Sequence, residues 1–235
     1  MRILAMDSSA VSASCALLED EKLIGEQYLN VGLTHSQTLM QLVEHLLAAA
    51  HVKPAQVDGF AVNSGPGSFT GIRIGVAAVK GMAFAQGKPC VGISTLESMA
   101  YLFEGFDGVV CGAMDARCQQ VYQALFEVRN GQVIRLCEDR ALTIAELTAE
   151  LKCLGKQVLL TGDGAHVCEK AFAEQGIPFR LAPLHLRYQR AYGVARAAQQ
   201  AFAQGKGVDA SALLPSYLRL PQAQRELKRR QAAGK

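Results

Sequence analysis

Between Val57 and Gln86 the chain reads as a buried strand, a glycine turn and a long helix of small residues, and this run limits the fold more than any other. Its centre is Gly65-Pro66-Gly67-Ser68-Phe69-Thr70-Gly71-Ile72-Arg73-Ile74-Gly75. Glycine frees φ where proline fixes it, and Ser68 or Thr70 can cap the helix that follows. A strand entering a helix in this way turns backbone N–H groups toward whatever lies above the turn, which favours an anion. Spacing alone does not name the ligand. No Lys-Ser/Thr follows the last glycine, so this is not a Walker A loop, and the glycines do not read G-x-G-x-x-G. A phosphate cradle and a tight turn between two packed elements both stay open at this point.

The helix expected over residues 71–86 carries only Arg73 and Lys80 as a polar stripe, while Ile72, Val76 and Val79 make an apolar ridge. Gly71, Gly75, Ala78, Gly81 and Ala85 leave another face nearly bare, open to the close approach of another backbone. In an earlier helix, expected over residues 36–50, Leu39, Met40, Leu42, Val43, Leu46, Leu47, Ala49 and Ala50 cover about half the circumference, wider than the ~100° stripe of a single core contact. Such surplus faces are either sandwiched within the fold or offered to a partner. The partner is preferred, because large apolar patches are uncommon on lone monomers. The expected interface residues are Leu39, Val43, Leu46 and Leu47 with Gly71, Ile74, Gly75, Ala78 and Met82.

A chain of 235 residues holds one large domain or two smaller ones. It has no run of 18 uncharged apolar residues, and Asp7 arrives too early for a signal peptide, so a cytoplasmic protein with no membrane partner is expected. The seven cysteines are scattered, odd in number and never spaced C-x-x-C, which suggests reduced thiols rather than disulfides or a zinc site. The net charge of +3 divides into +4 for residues 222–235 and −1 for the rest. Arg225, Lys228, Arg229 and Arg230 of that tail suit nucleic-acid phosphates, but a solvated basic end is the preferred reading.

The two halves open alike. Residues 2–29 read as a three-stranded meander whose first strand ends in Asp7-Ser8-Ser9. Val109–Arg117 is again a buried strand ending in an acid, Asp115, and it leads to a hairpin turned by Asn130-Gly131. Thr161-Gly162-Asp163-Gly164 is a second strand-to-helix glycine turn. Capping boxes are expected at Ser94–Glu97 and Thr143–Glu146. Glu104–Gly108 divides the chain into lobes 1–104 and 105–221, with 222–235 as a tail, and the last helix of the second lobe is placed back against the first. An aspartate at a strand end can hold a hydrated Mg²⁺ or a phosphate, although for Asp7 alone a turn bonding its own backbone is favoured. Together, Asp7, Asp115 and the two glycine turns outline a nucleotide-type cleft between α/β halves.

Asp7-Ser8-Ser9, Thr34-His35-Ser36, the Gly65–Gly75 string, Asp115-Ala116-Arg117, Val121-Tyr122, Thr161-Gly162-Asp163-Gly164 and Tyr217-Leu218-Arg219 resemble the bacterial TsaB family, also called YeaZ. The resemblance covers essentially the whole body of the chain. It implies an α/β, two-lobed actin-like ATPase/sugar kinase/Hsp70 (ASKHA) fold, each lobe a mixed sheet flanked by helices. It implies a non-catalytic subunit that dimerises with TsaD and supports threonylcarbamoyl transfer to N6 of adenosine 37 in tRNAs reading ANN codons. TsaC and TsaE act in the same pathway, tRNA is reached through the complex, and the subunit is a homodimer when alone. No cofactor is required by the chain itself, while ATP or ADP has a place within the complex. In the fold's usual arrangement the nucleotide cleft would be lined by Asp7, Ser8, Asp115, Gly162 and Gly164.

The residues agree with an absence of catalysis. The catalytic relative holds its metal with a helical His-x-x-x-His, whereas here His35 is followed at that spacing by Leu39, and His45 and His51 are six apart. No G-x-S-x-G elbow exists for a serine nucleophile, and no cysteine has an evident partner. Neither catalytic nor metal-ligating residues are therefore assigned. The competing reading is a free-standing ATP-dependent enzyme or glycoprotease-like peptidase of the same fold.

Overall fold

Strand alternation sets the first lobe. In the computed structural model, which describes residues 1–219, β1 (Arg2–Asp7), β2 (Ala13–Glu19) and β3 (Lys22–Leu29) form the antiparallel meander. After α1 (His35–Ala49), β4 (Gly59–Gly65) pairs parallel with β1. Then α2 (Phe69–Gln86) leads to β5 (Cys90–Ser94), parallel to β4, giving the order β3-β2-β1-β4-β5. The basic tail lies outside the described residues.

α3 (Thr95–Tyr101) leads into the second lobe, where β6 (Gly108–Asp115), β7 (Gln120–Arg129) and β8 (Gln132–Arg135) repeat the meander. Asn130 and Gly131 both take positive φ, 51° and 75°, as a type I′ turn requires. Next come β9 (Arg140–Thr143), α4 (Ile144–Leu154), β10 (Val158–Thr161), α5 (Ala165–Glu174) and β11 (Phe179–Leu181). Here the order is β11-β10-β6-β7-β8, with β9 on β7. Apart from β9, each sheet has its third, second, first, fourth and fifth strands in that order, which is the duplicated topology of the ASKHA fold. β9 and β11 escape sequence reading because, at four and three residues, they show no period and carry neither the Asn-Gly hairpin signal that marks β8 nor the apolar run that marks β10.

The central strands feed two cores each. Leu4 and Met6 of β1 pack with Leu39, Val43, Ile72 and Val76, while Ile3 and Ala5 point to the other face. There they meet Val194, Ala195 and Ala198 of α6 (Ala191–Ala203), a helix of the second half lying on the first sheet. In β6, Val109 and Cys111 face α4 and α5, and Val110 and Met114 face α3. Each fully buried Leu or Ile here contributes about 1.5–3 kcal/mol by leaving water. Burial on both faces explains why these strands read as continuous apolar runs.

The caps divide. Thr143 forms both arms of its box, accepting from the Glu146 N–H at 3.1 Å and donating its own N–H to that carboxylate at 2.8 Å. Ser94 forms one arm only. Its Oγ accepts from the Glu97 N–H at 3.2 Å, but the Glu97 carboxylate turns to Arg135 at 3.1 Å.

Candidate functional site

β1 delivers Asp7 to the floor of the cleft, fully buried. Its Oδ1 accepts from the Ser9 N–H at 3.1 Å and from Asn63 Nδ2 at 2.9 Å, while Oδ2, Ser9 Oγ and Asn63 Oδ1 are buried without a partner among the described residues. Burial pushes the Asp7 carboxyl above its ordinary range, opposed by the hydrogen bonds from Ser9 and Asn63 and by the nearby His35. The following turn is occupied by the start of α2. The Ser68 N–H donates to the Ser9 carbonyl at 2.7 Å, Ser8 Oγ donates to the Gly71 carbonyl at 2.9 Å, and His35 Nε2 bonds the Ala10 carbonyl at 2.7 Å. A Cβ on Gly67 would collide with the Ser9 carbonyl, and one on Gly71 with that of Ser8. The glycine string therefore lets α2 press onto the β1–β2 turn, and Ser68 caps the helix by accepting from the Gly71 N–H at 3.2 Å.

In the second lobe Asp115 accepts from the Arg117 N–H at 2.7 Å and from its guanidinium at 3.1 Å. Gly162, at φ +100°, and Gly164 are pressed against the Ala113–Met114 backbone, where no Cβ fits. Asp163 between them faces the cleft, and its Oδ1 accepts from Gln189 Nε2 at 3.2 Å. Burial pushes the Asp163 carboxyl up, and the charge of Asp115 adds to the rise despite the Gln189 bond.

A cavity of about 400 Å³ lies between the lobes, bounded by Ser9 and residues 66–69, by residues 114–117 with Asp163, and by residues 216–219. Of the five expected lining residues, only Asp115 borders it. Asp7 and Ser8 lie in the first-lobe floor, and Gly162 and Gly164 serve backbone packing. Sequence reading omitted Asp163 and Arg219 from the lining. Asp163 had a signal, since it is the acid of the glycine turn that follows β10. Arg219 had none, because it arrives only by the return of the chain.

The cavity residues do not by themselves fit a phosphate chain. Two carboxylates, Asp115 and Asp163, border the space, while Arg117 is engaged by Asp115 and Arg219 by the Ala116 carbonyl and Gln120. The Ser68 N–H at the helix start is likewise taken. Among the described residues no group of three or more His, Cys, Asp or Glu side chains is placed to hold a metal. No helix among them is long and apolar enough to cross a membrane.

The expected interface needs correcting for direction. Leu39, Val43, Leu46 and Leu47 are buried in the core of the first lobe, and Gly75 packs against Ser8 Oγ and Val62. The nearly bare face at Gly71 and Gly75 thus admits the chain's own β1–β2 turn, not a partner's backbone. Ile74, Ala78 and Met82 are half-buried at the edge of that core. Outward along α2 run Arg73, Ala77, Gly81, Phe84 and Ala85, with Phe84 82% exposed, and Met40 of α1 is 46% exposed. Lys80, the only charge between residues 74 and 86, has its Nζ bound to the carbonyls of Ser211 and Leu213 at 3.2 and 3.0 Å. The outer face of α2 over this span presents no free charge.

The family model described as TsaD: tRNA N6-adenosine threonylcarbamoyltransferase matches residues 30–227. The chain is similar to the tRNA threonylcarbamoyladenosine biosynthesis protein TsaB of Bacillus subtilis, at 31% identity over 226 residues, covering 95% of this chain and 96% of the relative. Among solved structures it is similar to YeaZ from Pseudomonas aeruginosa, with a TM-score of 0.77 and 29% identity, covering 92% of this chain and 99% of that one. Component A of the (R)-2-hydroxyglutaryl-CoA dehydratase of Acidaminococcus fermentans shares the fold alone, with a TM-score of 0.51 at 14% identity over 88% of this chain and 99% of that one.

Proposed function

The chain belongs to the TsaB (YeaZ) family, and on that premise we propose that it is a non-catalytic subunit that docks on TsaD and supports threonylcarbamoyl transfer to N6 of adenosine 37 in tRNA. The observation that carries this reading is the outer face of α2, which is free of available charge from residue 74 to 86 and bears the exposed Phe84. Solvent-facing helix surfaces ordinarily mix both signs of charge, and an apolar stripe flanked by polar residues marks a contact with another protein. Ile74, Ala78 and Met82 at its inner edge give a partner a partly formed apolar seat. The cleft supports the same reading. The two acids that border it, Asp115 and Asp163, are engaged by Arg117 and Gln189. ATP or ADP, on this reading, belongs to the complex and not to the isolated chain.

Reconstitution of the transfer with TsaC, TsaD and TsaE, with and without this chain, tests the proposal. The chain alone is expected to transfer nothing and to co-elute with TsaD through an interface of roughly 1,600 Å² or more. Full modification of tRNA without the chain would overturn the proposal. So would ATP turnover by the isolated chain that disappears in Asp7→Ala.

A further inference from the structure

Residues 213–219 carry neither helix nor strand, yet 216–219 line the inter-lobe cavity and the segment grips both lobes. On the first lobe, the Ser216 N–H donates to the Ser64 carbonyl at 2.7 Å. The Ser216 carbonyl sits where a Cβ on Gly65 would have to be. The Tyr217 ring lies 4.8 Å from that of Phe69, and its hydroxyl accepts from Arg73 Nε at 2.8 Å. Arg73 is itself held over Phe69, 3.8 Å from the ring centroid. On the second lobe, the Arg219 guanidinium donates to the Ala116 carbonyl at 3.3 Å and to Gln120 Oε1, and lies 5.6 Å from the centroid of Tyr122.

We propose that residues 214–219 form a lid over the inter-lobe cavity, clasped to the first lobe by Tyr217 and to the second by Arg219, and that its opening uncovers Asp163. The contacts suit a lid better than a piece of core. Leu214 is 70% and Tyr217 40% exposed, and among the described residues one backbone hydrogen bond, from Ser216, ties the segment to the body. Segments with few buried apolar contacts and few backbone bonds open well below the free energy of global unfolding. Ser9 borders the cavity from the first-lobe side. Upstream, the Lys80 bonds to Ser211 and Leu213 fix where the movable part begins.

Carboxyl labelling of the full chain tests this, using a water-soluble carbodiimide with a small amine and reading each peptide by mass spectrometry. Arg219→Ala and Tyr217→Ala should each raise labelling at Asp163 several-fold. Glu104, 18% exposed and held by Arg196, serves as the control and should stay unchanged. Unchanged labelling at Asp163 in both variants overturns the proposal, as does an equal rise at Glu104, which would report general loosening. The unaltered chain gives a second reading by amide hydrogen exchange. The Ser216 amide should exchange at least about tenfold faster than that of Ala5 in β1, the ratio of a 1.4 kcal/mol difference in opening. Exchange at Ser216 as slow as at Ala5 would mean that the segment opens only when the whole chain unfolds, and the lid would be excluded.

Discussion

Ser8 and Gly71 hold each other reciprocally: Ser8 Oγ donates to the Gly71 carbonyl at 2.9 Å, and the Ser8 carbonyl occupies the space a Cβ on Gly71 would need. The opening turn of α2 is thereby fixed to the end of β1, and with it the direction of the whole helix.

Two glycines of that helix should therefore respond oppositely to alanine. Gly71→Ala forces backbone apart and is expected to cost about 1–3 kcal/mol, as overpacking does. Among the described residues nothing lies within 4 Å of a would-be Cβ on Gly81, so Gly81→Ala should stabilise the chain by about 0.4–1 kcal/mol through helix propensity. Chemical denaturation of both variants checks the pair of signs, and a Gly71→Ala variant as stable as the parent would contradict the packing.

Ionisation of Asp7 should oppose folding. Its folded-state value is raised above the ordinary 3.8 chiefly by burial, so the folded chain holds that proton more tightly than the unfolded one. Below 3.8 both states are protonated and the contribution is fully present. As pH climbs from there through the raised folded value, the unfolded state ionises first and stability is lost. Asp163 acts in the same direction. Asp7→Asn keeps an oxygen for Ser9 and Asn63 but cannot ionise, so its stability relative to the parent should grow with pH across that window. Parallel stability curves from pH 3 to pH 7 would refute the assignment.

Arg196 of α6 forks onto Glu104, with Nε to Oε2 at 2.9 Å and Nη2 to Oε1 at 3.1 Å, both side chains 18% exposed. This pair ties the helix on the first sheet to the connection between α3 and β6. Arg196→Ala should cost about 1.5–3 kcal/mol, the range for hydrogen bonds to charged groups. Arg196→Lys should recover less than half of that, because an ammonium cannot reproduce the fork. Thermal midpoints of the three proteins give the comparison.

On the outer face of α2, Phe84→Ser should leave stability within about 0.5 kcal/mol, because the ring is already in water. Binding to TsaD should weaken by about thirtyfold or more if Phe84 is one of the anchors that dominate an interface. Ala78→Arg, at the half-buried edge, should act in the same way, its long stem carrying the charge out to solvent. Gly75→Arg is unsuitable for this purpose, since it would drive a side chain into Ser8 and Val62. Unimpaired co-elution of Phe84→Ser and Ala78→Arg with TsaD would remove the face from consideration.

Most of the elements were legible, because their signals are local. The boundaries of α2 follow from Ser68 at one end and Gly87, at φ +59°, at the other. The hairpin follows from Asn130-Gly131, and the double appearance of a strand ending in an acid announces the two lobes. The box at Thr143 was legible in full, but that at Ser94 only by half, since Glu97 is taken by Arg135, a residue 38 positions away. The site was less legible. The glycines at 71, 75, 162 and 164 were visible as places where something comes close, but their sequence could not say that it was the chain's own Ser8, Val62 and Ala113. Leu39, Val43, Leu46 and Leu47 were visible as an apolar face but not as one already covered by β1 and β2.

Sequence alone determined the kind and approximate place of most strands and helices, the repeated opening of the two halves and the family, because periodicity, caps and turn residues act over a few positions along the chain. Only the tertiary structure decided which apolar faces are spent internally, that Asp163 rather than Asp7 borders the cavity, and that residues 216–219 return to line it. Each of these depends on contacts between residues far apart in sequence. The Tyr217–Arg73 and Arg219–Gln120 contacts span 144 and 99 positions, and no local pattern records a meeting at that separation.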